Sequence, residues 1–111
     1  MTDSQSTGAI VRAVGHTAIR MQLDVGAMVM NGEEPRDVLE SSHMMISHIH
    51  ASEPHLAVLG DCGTDHGPFA AAIREFCHNR IVTIEMRENV SDPLAAIERA
   101  ARFASLWYGN P

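Results

Sequence analysis

The stretch MMISHIHASEPHL, residues 44–56, begins as a strand and ends in a polar loop. Residues 44–50 alternate as a strand does, which puts Ile46, His48 and His50 on one face. The pattern therefore predicts a strand whose last residue, His50, lies where the chain turns into the loop.

Two further strands are predicted on either side of this one in the sequence. Residues 18–25 place apolar side chains at alternate positions and end at Asp24, and residues 81–86 are a β-branched run that ends at Glu85. Helices are predicted between and after the strands, over residues 36–41, 69–78 and 93–108. Strands that alternate with helices are typical of βα units, so the sequence predicts an α/β protein with a parallel sheet.

The last helix has the clearest boundaries. Asp92 is a suitable N-cap, Pro93 suits the first helical position, and Gly109 ends the segment. Apolar residues recur at helical spacing and predict one buried stripe, which consists of Leu94, Ile97, Ala101 and Ala104.

Three segments lack a clear element. Residues 1–8 are rich in Ser and Thr without an apolar period, so they are predicted to be a disordered terminus. Residues 9–14 fit a helix end or a strand equally well. Residues 52–68 are long and polar, and loops of that length in compact domains are functional or disordered. A single domain over residues 9–111 is predicted, because 111 residues have room for one core.

Charge and cysteine content argue against several classes of protein. The formal net charge is -6 and the eight Lys and Arg residues are scattered singly, so no basic stripe is available for DNA or RNA. No apolar run approaches the roughly 18 residues of a membrane span, and no charged-then-apolar leader is seen, so a cytoplasmic protein is predicted. Cys62 and Cys77 lack a CxxC spacing and are predicted to be reduced thiols.

Each predicted strand ends in a residue that can bind a metal: Asp24, His50 and Glu85. The carboxyl ends of parallel strands meet at one edge of the sheet, where α/β proteins carry their working residues. One imidazole and two carboxylates suit Mn, Mg, Co or Zn. The alternative interpretation is that these carboxylates cap the next helix or keep a loop solvated.

Four stretches resemble the end of the xylose-isomerase-like TIM barrels: LDVG at 23–26, HIHASEPHL at 48–56, DHGPF at 65–69 and VTIEMR at 82–87. That superfamily includes sugar-phosphate isomerases and epimerases, ketose 3-epimerases, inosose dehydratases and endonuclease IV. The resemblance covers residues 19–108 and rests on the order and spacing of the motifs. It implies a partial TIM barrel, the last three or four βα units of a fold that takes roughly 250 residues.

The resemblance also implies roles for the strand-end residues. In such proteins a strand-end Asp, a strand-end His and a final-strand Glu bind the metal, which implies Asp24, His50 and Glu85 as ligands. The final-strand Glu also serves as an acid/base beside the substrate hydroxyls, so Glu85 is the expected catalytic residue. The implied substrate is a small carbohydrate or polyol, and the implied reaction is proton transfer at a carbon next to a metal-polarised carbonyl.

Four further residues are expected near the substrate. Asp65 and His66 match a loop motif that approaches the metal or the substrate in these barrels. Arg87 stands where a cation near the sugar or its phosphate is found, although an ion pair with Glu85 is an alternative because both share one strand face. Glu53, which precedes a proline, is expected either to contact substrate or to shape the turn.

The chain departs from the family pattern in what it lacks. The family's first metal-binding Glu comes from an earlier strand that this sequence does not contain, so the site has three protein ligands rather than four. His78-Asn79-Arg80 also stands where the family has Gly-Tyr before its last strand. A half-barrel leaves strand edges bare, so we expect a homo-oligomer or a separate N-terminal half-barrel chain to complete it.

Two functions are consistent with these features. The first is a divalent-metal-dependent sugar or sugar-phosphate isomerase/epimerase-like protein, active when a partner half completes the site. The second is a non-catalytic barrel remnant that acts as an oligomeric or partner-binding module. Metal binding and turnover discriminate between them.

Overall fold

The sheet has three parallel strands within residues 3–88 and 90–109, which are the residues that this computed structural model describes. They are β1 (Met21–Asp24), β2 (Ile46–Ala51) and β3 (Val82–Ile84), and β2 lies in the middle. Both pairings are parallel, with Asp24 opposite His50 and His50 opposite Thr83. The predicted α/β class with parallel strands is confirmed.

Helices precede, separate and follow the strands. The described ranges contain α1 (Ser4–Val14), α2 (Val25–Met30), α3 (Pro35–Ser42), α4 (Gly67–Cys77), α5 (Pro93–Tyr108) and one 3-10 turn (Pro54–Leu56). The predicted start of α5 is confirmed, because the Asp92 carboxylate accepts a hydrogen bond from the backbone N–H of Ala95. No helix in this part of the chain is long and apolar enough to cross a membrane.

The core lies between one face of the sheet and the helices. Buried side chains of β1 and β2 pack against apolar residues of α2, α3 and α4; the strand residues are Met21, Leu23, Ile46 and Ile49, and the helix residues are Met28, Leu39, Phe69 and Ile73. Burying each of these larger side chains contributes about 1.5–3 kcal/mol. The opposite face of the sheet is polar and open, with Gln22, Ser47 and Thr83 exposed.

An irregularity in β2 changes the predicted faces of that strand. Met21 lies opposite Ile46, but the next residue, Gln22, lies opposite His48, so Ser47 is an extra residue. Because of this shift Ile46 is buried with Ile49, whereas His48 and His50 remain on the other face. The prediction that the two histidines share a face is confirmed; the prediction that Ile46 lies with them is wrong.

The amino terminus also differs from the expectation of disorder. Helix α1 spans most of residues 1–14, with Asp3 as N-cap and Gly15 at a left-handed C-cap. The backbone N–H of Ser4 donates to the Glu33 carboxylate, and Gly8 is buried near the Met45 side chain. These long-range contacts stabilise a helix that composition alone does not predict, so the expectation is wrong for residues 4–8. Residues 1 and 2 lie outside the described residues.

Helix α5 buries a different stripe from the predicted one. Ala96 and Ala100 are its buried residues, whereas Leu94 is 75% exposed and Ile97 is 54% exposed. The small side chains of Ala96 and Ala100 allow α5 to pack closely against the sheet. Phe103, further along the helix, packs against the same core cluster as Ala100. The larger apolar residues of α5 are therefore left at the surface.

Candidate metal site at the carboxyl end of the sheet

Asp24, His50 and Glu85 come together at the carboxyl end of the three strands. His50 Nδ1 lies 2.7 Å from Glu85 Oε2 and 3.8 Å from Asp24 Oδ2. One ligand atom from each of the three residues lies within 4.8 Å of the other two. The parallel register produces this convergence, since Asp24 and His50 are paired across β1 and β2 and the Glu85 N–H donates to the Ala51 carbonyl.

The donor set fits a divalent cation. Two donors bound to one Zn-like ion at about 2.0–2.2 Å lie roughly 3–4 Å apart, so the observed separations require only small side-chain movements. The side chains are partly exposed, at 25% for Asp24, 17% for His50 and 43% for Glu85. A ligand can therefore reach the site from solvent, and Glu85 is the most accessible of the three.

The orientation of Asp24 is set by its neighbours. Its Oδ1 accepts hydrogen bonds from the Ala27 N–H at 2.8 Å and from the Ser52 hydroxyl at 2.9 Å. The bond from Ala27 is the N-cap of α2, so the helix-capping interpretation of Asp24 is confirmed. It is compatible with metal binding, because Oδ2 is the oxygen that faces His50.

His50 has polar and aromatic neighbours on the open face of the sheet. Its Nδ1 contacts the Gln22 side-chain amide nitrogen at 3.2 Å as well as Glu85. The His48 ring meets the His50 ring edge to face, with centroids 5.0 Å apart. Sequence reasoning did not identify Gln22, although its position two residues before Asp24 places it on the same face of β1.

Glu53 and His66, both expected near the substrate, are instead buried against each other. Their side chains have no exposed surface, and His66 Nε2 lies 3.2 Å from Glu53 Oε1. These two atoms are poorly aligned for a hydrogen bond and have no other partner among the described residues, so the contact is mainly electrostatic. Gly60 donates its N–H to Glu53 Oε2 at 2.8 Å.

Tyr108 completes this buried cluster. Its hydroxyl is hydrogen-bonded to His66 Nδ1. Burial raises the pKa of the Tyr108 phenol, and the nearby Glu53 carboxylate adds to the increase. A substrate cannot touch Glu53 or His66 in this conformation, so their geometry does not support the predicted role, which stays a prediction.

Asp65 and Arg87 are exposed but already engaged. The Asp65 carboxylate accepts the Gly67 N–H at 3.0 Å, at the start of α4. Arg87 donates from its guanidinium to the His55 carbonyl and from its backbone N–H to the Leu56 carbonyl. No ion pair joins Arg87 to Glu85 among the described residues, because the near partner of Glu85 is His50.

The backbone that Arg87 holds is strained. His55 and Leu56 have φ angles of 59° and 57°, in the left-handed region that non-glycine residues rarely adopt. Such positions cost of the order of 1–3 kcal/mol each and persist only where surrounding contacts hold them. Arg87 therefore ties the end of the β3 segment to the loop that follows β2.

Comparison with known proteins supports the fold. No protein-family model matches the chain, and no curated protein sequence matches it. Among solved structures, it is similar to a crystal structure of D-psicose 3-epimerase determined in the presence of D-fructose, with a TM-score of 0.84 and 16% sequence identity. The match covers 99% of this chain and 45% of that chain, so the chain spans less than half of the matched protein. The chain thus has the fold of part of a TIM barrel.

Proposed function

We propose that this chain supplies three ligands of a divalent metal site in a sugar or sugar-phosphate isomerase/epimerase-like barrel. The observation that carries the proposal is the convergence of Asp24, His50 and Glu85 at the carboxyl end of a parallel sheet. The fold supports it independently, because the similar solved structure is an epimerase. Mn, Mg, Co and Zn are the metals compatible with one imidazole and two carboxylates.

The residues divide the chemistry between them. A bound divalent ion polarises a carbonyl and its neighbouring hydroxyl, which acidifies the C–H between them. Asp24 and His50 hold the site, while Glu85, the most exposed of the three, is the carboxylate that takes up and returns the proton.

The proposal includes a partner that completes the barrel. The outer edges of β1 and β3 have no paired strand within the described residues, and the face that carries the metal site is open. The matched protein is more than twice as long as the matched region, and a second copy or a separate N-terminal half-barrel packed on these edges would supply the corresponding βα units. That half would provide the fourth ligand and much of the sugar-binding surface.

Metal binding tests this function directly. The purified chain, freed of metal and titrated with Mn²⁺ or Co²⁺, is expected to bind one ion, and Glu85→Gln is expected to weaken binding at least tenfold while circular dichroism stays unchanged. Glu98→Gln, an exposed carboxylate on α5, is the matched control and is expected to bind as the wild type does. Absence of stoichiometric binding of Mn, Mg, Co and Zn in the wild type would contradict the proposal.

The second candidate is a non-catalytic module that assembles with itself or with a partner. It is favoured by the use of Glu53, His66 and Arg87 in internal contacts, which leaves few groups for a substrate. A tight oligomer without turnover of ketoses, inososes or their phosphates, even when loaded with metal and mixed with a complementing half, would support this candidate over the first.

We also propose a cytoplasmic location. Both cysteines are free, with Cys62 exposed and Cys77 buried. Burial raises the pKa of the Cys77 thiol, which keeps it in the unreactive protonated form. Free thiols are usual in reducing compartments.

A further inference from the structure

Ser52 is a buried polar residue that links the loops following β1 and β2. Its relative exposure is 0%, although it lies only two residues after His50. The Oγ atom accepts a hydrogen bond from the Gly26 N–H at 2.8 Å and lies 2.9 Å from Asp24 Oδ1. Both partners belong to the segment that leaves β1, so one hydroxyl joins two adjacent strand ends.

The close approach of the two segments depends on Gly26. A Cβ atom at this position would lie 2.4 Å from the Glu53 carbonyl oxygen, which is closer than atoms can approach. Only glycine therefore lets the start of α2 contact the backbone beyond β2. This contact brings Ser52 within reach of Asp24.

The direction of the Ser52 hydroxyl proton follows from its partners. The Gly26 N–H donates to Ser52 Oγ, so this contact does not use the hydroxyl proton. The Ser52 hydroxyl therefore donates its proton to the nearest acceptor, Asp24 Oδ1. That oxygen also accepts a hydrogen bond from the Ala27 N–H, so two donors restrain it. Oδ2 is thus presented to the neighbourhood of His50.

We propose that Ser52 is a positioning residue that makes Asp24 a one-oxygen metal ligand through Oδ2. This inference rests on the proposed metal site and adds to it how that site is preorganised. Partners of this kind behind a ligand typically change metal affinity 10- to 100-fold. Without the Ser52 hydroxyl, the carboxylate keeps its bond to Ala27 but loses the second restraint on its rotation.

The test compares Mn²⁺ affinity, measured by the electron paramagnetic resonance signal of free ion, in wild type and Ser52→Ala. Affinity is expected to fall 10- to 100-fold, and the visible spectrum of bound Co²⁺ is expected to change because the Asp24 coordination changes. Ser47→Ala, at an exposed position within β2, is the control and is expected to match the wild type. Apo melting temperatures report whether each variant is folded.

The possible outcomes test the role of Ser52 separately from the proposed metal-binding function. A wild type that binds no metal overturns the proposed function, and the inference with it. A wild type and a folded Ser52→Ala variant that bind equally, with identical Co²⁺ spectra, overturn the inference alone. If Ser52→Ala does not fold, Ser52→Cys decides, since a thiol is a weaker donor of similar shape: reduced affinity supports the inference and unchanged affinity overturns it.

Discussion

Glu53, His66 and Tyr108 form a buried polar cluster beneath the loop that follows β2. A buried acid and base are tolerated when they face each other, and removing one partner of such a pair costs about 3–5 kcal/mol because the other is left uncompensated. Here the imidazole lies between the carboxylate and the phenol. The cluster therefore fixes the loop that follows β2 to the last turn of α5.

Tyr108 allows this cluster to be observed, because it is the one tyrosine in the sequence. Burial raises its pKa, so tyrosinate absorbance near 295 nm is expected to appear well above the ordinary value of about 10. Below a pH of about 10, the Tyr108 phenol is protonated in both the folded and the unfolded chain. As the pH rises above about 10, only the unfolded chain loses the Tyr108 phenol proton. The free energy of unfolding is therefore expected to fall with increasing pH, and tyrosinate absorbance is expected to rise when the chain unfolds.

The chain unfolded in urea provides the reference for this titration. Its tyrosine is expected to ionise near the ordinary pKa. A folded chain that titrates at the same pH as the unfolded one would show that Tyr108 is not buried in solution.

At the scale of elements, the loops carry as much of the site as the strands do. Helix α2 has only six residues, yet Asp24, its N-cap, is also a candidate ligand. The segment after β2 contains the strained His55–Leu56 pair and the buried Ser52. The site therefore depends on the contact between the two segments, which Gly26 permits.

Gly26→Ala is expected to disrupt this contact. The added methyl group would meet the Glu53 backbone, and overpacking of this kind typically costs about 1–3 kcal/mol. Since the shift would also separate Ser52 from Asp24, we expect a lower melting temperature together with weaker Mn²⁺ binding. Thermal melting and metal titration of one sample measure both.

Gly8→Ala is the matched control for that substitution. Gly8 lies in α1, where the nearest atom to an added Cβ is the flexible Met45 Cε at 3.3 Å. Alanine is also the better helix former, so stability is expected to stay the same or to rise slightly. Equal behaviour of the two variants would show that the Gly26 contact is unimportant.

At the scale of the whole molecule, the open flank formed by β3 and α5 is the surface that a closed barrel would cover. Ile81, directly before β3, is 73% exposed, and Leu94 and Ile97 are exposed on α5. A mostly apolar pocket lies alongside, lined by Met86, Arg87, Glu88, Val90, Pro93 and Ile97. Exposed apolar side chains beside an unpaired strand edge are typical of an interface.

Association through this flank is the expected consequence. The purified chain is expected to have a light-scattering mass above 12.1 kDa, either alone or when mixed with a complementing half-barrel. The double substitution Leu94→Asp and Ile97→Asp is expected to reduce the associated fraction at least tenfold, because both charges would need to be desolvated. Leu106→Asp, at a residue 77% exposed on the same helix, is the control.

A mass of 12.1 kDa under all these conditions would contradict this interface. Equal loss of association in the Leu106 control would place the interface elsewhere on α5. Neither result would affect the metal titration, which reports on a different surface of the chain.

Local sequence patterns alone were enough to predict the βα order, the start of α5 at Asp92 and the three strand-end residues. The physical reason is that alternation, capping and turn residues act over a few neighbouring positions. The convergence of Asp24, His50 and Glu85 also follows, since parallel strands end at one edge whatever their exact register.

Tertiary structure alone decided which polar residues are buried and which face of α5 packs. Glu53 and His66 are 13 positions apart, and only the fold places one against the other; α1 is held by Glu33 and the buried Gly8, contacts that its composition does not encode. Ser52 likewise has no local signal, because the role proposed for it depends on a hydrogen bond between two strand ends. Long-range packing sets these features, and short sequence patterns carry no information about it.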